Sequence, residues 1–152
     1  MRKLYSLVIG IAAVCLSSPV FADTIGCADF KKIEINYIYA QKTYKELDDK
    51  LLELQQYLID KDKEYKAIES PLSRKNFEQK VEKEYKAKED ALAKLKLQKE
   101  EEIFKNIQAA SKAVSAQKKI DTVFDYRVIL SGGVDLTQDI IEYLNNNKPI
   151  KK

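Results

Sequence analysis

The sequence has no histidine and no tryptophan, and only two cysteines, three prolines and four glycines among 152 residues. Without histidine the commonest general base and metal ligand is missing. The scattered glycines form no phosphate-cradling loop, so no nucleotide site is visible. Neighbouring carboxylates do occur, Asp48 with Asp49 and Glu100 to Glu102, but on a charged helix these read as solvated surface. An enzyme is not expected, and neither is a cofactor or a metal. Only Cys27 lies beyond the first 22 residues, which rules out an intrachain disulfide there and leaves Cys27 as a small buried hydrophobe.

What is present begins with a targeting pattern. Arg2 and Lys3 precede an apolar run over residues 4–16, followed by small residues ending at Val20, Phe21 and Ala22. A charged start, an apolar stretch too short to span a bilayer comfortably and small residues before Asp23 predict a cleavable signal peptide over 1–22 and export out of the cytoplasm. Val14 is bulkier than a lipid-attachment site at Cys15 would want. Removing 1–22 takes away two of the 27 basic residues and none of the 24 acidic ones, so the net charge falls from +3 to +1. Charges so balanced and interleaved suit a wet helix surface, and no nucleic-acid partner is expected.

Residues 23–31 are partly alternating and predict one short strand. From 32 to 69 there is neither Gly nor Pro, and Tyr37, Ala40, Tyr44, Leu47, Leu51, Leu54, Leu58, Tyr65 and Ile68 recur at steps of three and four, broken only by Lys61. That narrow seam is a coiled-coil pattern. Pro71 interrupts it, the chain is expected to turn at 70–73, and Ser73 stands ready to cap a second helix over about 74–119. At 1.5 Å per residue such a helix runs roughly 65 to 70 Å. Its apolar seam is imperfect, with Lys88, Lys99, Glu102 and Asn106 diluting it. Beyond it, the apolar runs 120–124 and 128–130 predict two strands, Gly132 and Gly133 a turn, and Thr137 the cap of a last short helix, before a frayed tail over 146–152. The fold class expected is α+β: a long antiparallel helical hairpin, residues 32–119, projecting from a small β body built from both chain ends, 23–31 and 120–145. So small a body buries little apolar surface and calls for completion by oligomerisation.

The opening stretch Ile25-Gly26-Cys27-Ala28-Asp29-Phe30-Lys31-Lys32-Ile33 resembles the first strand of the Skp/OmpH periplasmic chaperones. The closing stretch is similar in order and spacing too: Ile107-Gln108-Ala109-Ala110, Ile120-Asp121-Thr122-Val123-Phe124-Asp125, Val128-Ile129-Leu130 and Asp135-Leu136-Thr137 followed by Ile140, Ile141 and Leu144. The resemblance implies a jellyfish-shaped homotrimer whose central body would use Ile25, Cys27, Val123, Phe124, Val128 and Ile129, and whose three arms enclose a cavity. It implies ATP-independent capture of unfolded outer-membrane proteins. The family's arginine cluster is absent; Lys94 and Lys96 occupy the comparable region, and no lipopolysaccharide site is carried over.

A holdase needs thinly spread apolar and aromatic contacts on a charged surface, each weak and together numerous. Tyr57, Leu72, Tyr85, Lys94 and Lys96 are the client-contact candidates. Between residues 61 and 88 nine basic residues face six acidic ones, a mild excess that suits acidic clients or weak contact with anionic lipid headgroups. The alternative from another class is a structural coiled-coil envelope protein that bridges or spaces partners.

Overall fold

The computed structural model describes residues 24–150; the signal peptide expected over 1–22 and the last two residues of the tail lie outside the described residues. The chain is α+β, mostly helical with a small parallel sheet. In order it runs β1 (Ile25–Ala28), α1 (Phe30–Asn36), α2 (Ile38–Lys66), α3 (Pro71–Lys118), β2 (Thr122–Asp125), a 3-10 turn (Tyr126–Val128), β3 (Val134–Asp135) and α4 (Thr137–Asn146). No helix among the described residues is long and apolar enough to cross a membrane.

The two chain ends meet in the sheet. Strand β1 is central, flanked in parallel by β2, with Ile25 opposite Thr122 and Cys27 opposite Phe124, and by β3, with Gly26 opposite Val134. The Asp121 N–H donates to the Thr24 carbonyl at 3.0 Å and the Leu136 N–H to the Cys27 carbonyl at 2.8 Å, which extends both ladders by one bond. The strand expected at 128–130 is not there. Asp125 accepts the Arg127 N–H at 2.9 Å and pairs with its guanidinium at 2.8 Å, which folds 126–128 into a tight turn, and the third strand falls after the glycines instead. Gly132 and Gly133 take φ of 86° and 89°, a region that side-chain-bearing residues rarely adopt.

The first long helix also departs from expectation. It is broken at Tyr37, whose extended backbone separates α1 from α2. Asn145 of α4 heals the break: its Oδ1 accepts the Ile38 N–H and its Nδ2 donates to the Asn36 carbonyl, each at 3.0 Å. The break lets Ile33 on α1 and Tyr37 and Ala40 beyond it enter one core with Ile103, Ile107, Ala110, Val114, Leu136, Ile140, Ile141 and Leu144. At the turn between α2 and α3 the cap is Ser70 rather than Ser73. Ser70 Oγ accepts the Ser73 N–H at 3.5 Å, and Pro71 occupies the first helical turn, where its missing N–H costs nothing. Thr137 does not cap α4 either; it lies inside the first turn and bonds to the strands.

Helices α2 and α3 run antiparallel in contact, because partners fall along α3 as numbers rise along α2: Tyr39 meets Glu102, Tyr57 meets Glu84 and Tyr65 meets Phe77. α3 ends at Lys118, and the left-handed backbone of the next residue, Lys119 (φ 57°, ψ 41°), turns the chain toward β2. The tail, expected to fray, instead lies against α3 as far as Ile150, whose N–H donates to Asn106 Oδ1 at 2.8 Å.

Candidate functional site

Two surfaces hold the residues singled out in the sequence. The first is the outer part of the sheet. Side chains alternate across a strand, so Gly26 and its partner Val123 share one face and Cys27 and Phe124 the other. Gly26 faces the core: a Cβ there would lie 2.9 Å from both Ile120 Cγ2 and Leu136 Cδ1. Val123 packs against that core as a half-buried residue. On the opposite side Cys27 is buried, near enough to Gly133 that a Cβ on the glycine would stand 3.7 Å from its Sγ and 3.8 Å from Ile129 Cδ1. The loop after β2 thus folds over Cys27 and half-buries Ile129, leaving Ile25, Phe124, Tyr126, Val128, Leu130 and Val134 exposed, Val128 at 71%. Of the six residues expected in the body, Cys27 is inside, Val123 and Ile129 are partly covered, and Ile25, Phe124 and Val128 face outward.

The second surface is the α2–α3 pair, which changes character along its length. Near the body its contacts are dry, with Ala40, Thr43 and Leu47 buried against the other elements. From residue 55 to residue 102 no residue is buried. Polar stations hold the helices there. Tyr39 Oη donates to Glu102 Oε1 at 2.7 Å, and Lys99 bonds both groups, at 3.3 Å to the tyrosine oxygen and 2.9 Å to Glu102 Oε2. Tyr57 Oη donates to Glu84 Oε2 at 2.6 Å, with Lys61 and Lys88 at 5.6 and 5.2 Å from its ring centre. Tyr65 packs on Phe77 with Arg74 at 5.4 Å from its ring. The Glu84 hydrogen bond, followed by burial, pushes the Tyr57 hydroxyl up to about 12, and the Glu78 hydrogen bond raises Tyr65.

The residues expected to dilute the seam therefore belong to it. Glu102 sits on it because tyrosine, unlike leucine, brings a hydroxyl that must find an acceptor, Lys99 donates to that tyrosine oxygen and to the carboxylate, and Lys88 lies over the Tyr57 ring. Between stations lie two shallow grooves, one of about 270 Å³ lined by Leu54, Tyr57, Leu92 and Leu95 and one of about 330 Å³ lined by Leu58, Tyr65, Phe77 and Val81.

The client-contact candidates scatter over this surface. Leu72 is 70% exposed in the first turn of α3, and Lys94 and Lys96 are exposed, Lys96 at 3.9 Å from Glu100. Tyr85 is half-buried, whereas Tyr57 ties α2 to α3. Sequence reasoning missed Tyr39 and Thr43 and read Asn106 only as a residue that dilutes the seam, since none of them carries a periodic apolar signal. No protein-family model matches the chain, and no curated protein matches it.

Proposed function

We propose that this chain is an ATP-independent holdase of the periplasm that shields unfolded outer-membrane proteins from aggregation. In this reading α2 and α3 form an arm projecting from the body, and three copies join through the apolar outer surface around Ile25, Phe124 and Val128 into a homotrimer whose arms surround the client. The observation that carries it is the long stretch from 55 to 102 in which nothing is buried. Two paired helices that bury so little contribute little to their own stability, while exposed Leu58 and half-covered Leu92, Leu95 and Phe77 offer weak apolar contacts. Weak contacts release without nucleotide. The six exposed apolar residues around a three-stranded sheet support self-association, since open strand edges and apolar patches invite pairing.

The test is light scattering of a barrel protein diluted from urea, with and without a molar excess of this protein, together with its molar mass in solution. Suppressed aggregation by a trimer is expected. Unchanged aggregation ends the reading, and a single stable partner recovered from envelope extracts would replace it with the spacer.

A further inference from the structure

Residues 147–150 leave α4 and cross α3, closing a cavity of about 210 Å³ lined by Tyr37, Asn106, Ala110, Tyr143 and Leu144. Two polar atoms there have no partner among the described residues: Tyr37 Oη and Asn106 Nδ2. Both residues are deeply enclosed, Tyr37 at 2% and Asn106 at 4% exposure. The orientation of the Asn106 carboxamide follows from chemistry, because only its oxygen can accept the Ile150 N–H. Its NH2 group is then the one left over. Burial, and then the nearby Tyr39 and Glu102, push the Tyr37 hydroxyl up to about 12, so it stays a neutral donor. Two unpaired donors at one buried spot are costly, and interiors pair nearly all such groups.

A carboxamide offers one acceptor and one donor side by side, which matches the N–H and C=O of an extended chain. The fold already uses this match once. Asn145 takes an N–H and a carbonyl from the backbone at the α1–α2 break, filling both of its atoms. Asn106 fills only one, and its occupant is an irregular segment of chain. Pro149 in that segment has no N–H to give and biases the residue before it toward extended backbone.

We propose that Asn106 and Tyr37 form a backbone-reading site for an extended polypeptide segment, and that residues 148–150 sit in it as a partial stand-in for a client. A client strand would supply an N–H to Asn106 Oδ1, as Ile150 does, and carbonyls to Asn106 Nδ2 and Tyr37 Oη, which the tail leaves empty. It would thereby displace a tail that makes one of three possible bonds. Recognition through main-chain atoms is indifferent to side chains, which suits a protein that meets many sequences. The identity of the occupant as a client rests on the holdase reading; the site itself does not.

The test uses the whole protein and a variant ending at Asn147, with binding of a fluorescein-labelled, unstructured peptide rich in Thr, Val and Gln read by anisotropy. Removing 148–152 is expected to tighten binding by roughly fivefold or more, about the worth of one displaced hydrogen bond. Tyr37→Phe in the shortened chain is expected to weaken binding several-fold while leaving the melting temperature unchanged or higher, since it removes an unpaired buried hydroxyl. Equal affinity with and without the tail, or no effect of Tyr37→Phe, overturns the proposal and leaves a cavity that holds only water. Aggregation suppression by the same shortened chain separates the two ideas. Suppression without Tyr37 dependence retains the holdase and removes the site; Tyr37-dependent peptide binding without suppression retains the site and removes the holdase.

Discussion

Thr137 Oγ1 accepts the N–H of Asp29 at 2.9 Å, joining residues 108 apart in sequence. The same hydroxyl donates to Asp135 Oδ1 at 2.5 Å, and that oxygen also takes the Thr137 N–H at 2.9 Å. One side chain at the start of α4 therefore fixes the exit of β1 to the exit of β3. Thr137→Val keeps the shape and deletes the hydroxyl, leaving the Asp29 N–H without its partner. A loss of about 1–3 kcal/mol in urea unfolding is expected, with Thr137→Ser retaining most of the stability.

Acid should loosen the same region. The Thr137 hydroxyl and N–H hold the Asp135 carboxyl below its ordinary value, and the Arg127 guanidinium and N–H lower Asp125 to about 2. Depressed carboxyls stabilise fully above the unfolded value of 3.8 and lose that contribution as pH falls through their folded values. Asp125 lies on the surface, so screening keeps its share small. Urea midpoints are expected to drop between about pH 5 and about pH 2. Asp135→Asn, which keeps an acceptor but no titration, is expected to flatten part of that drop; an unchanged profile would remove Asp135 from the account.

Alkali should act on the paired helices α2 and α3. The Tyr57 hydroxyl is raised from 10.0 to about 12 by its bond to Glu84, so the neutral, bonded form is the one the fold favours. A raised value contributes stability that is complete below 10.0 and lost as pH rises toward about 12. Loss of α-helical ellipticity is expected over that interval. Tyr57→Phe should remove part of the pH dependence at a cost below about 1 kcal/mol, because the station is wet on one side.

Gly26 tests how tightly the sheet is laid on the helices. A methyl group at this position meets Ile120 and Leu136, and Leu136 is fully buried with little room to yield. Gly26→Ala is expected to cost about 1–3 kcal/mol by overpacking, read in chemical denaturation.

The broad architecture was legible because long Gly- and Pro-free segments and β-branched ends carry strong local signals. Pro71 marked the turn, but its role as a first-turn residue placed the cap at Ser70. The break at Tyr37 was not legible: no Gly or Pro marks it, and it is Asn145, more than a hundred residues away, that satisfies the freed backbone groups. The apolar run 128–130 looked like a strand, yet the Asp125–Arg127 bonds commit the chain to a turn first. The polar seam escaped a reading that looked for leucines, because Tyr39 with Glu102 and Tyr57 with Glu84 are side-chain pairs across two helices. The docked tail was hidden for the same reason, its tie to Asn106 being a single long-range hydrogen bond.

The central place of β1 in the sheet also sets an order of events. Its two neighbours, β2 and β3, are both made after the long helices, so β1 has no strand to pair with until most of the chain exists. The antiparallel helices relieve that delay. Zipping from the turn near Ser70 downward, through Tyr57 with Glu84 and then Tyr39 with Glu102, would bring residues 63 apart into contact before the ends must meet. The entropy of closing the largest loop is thus met in small instalments. A weakened distal seam would therefore slow assembly of the sheet, even though it touches no residue of it.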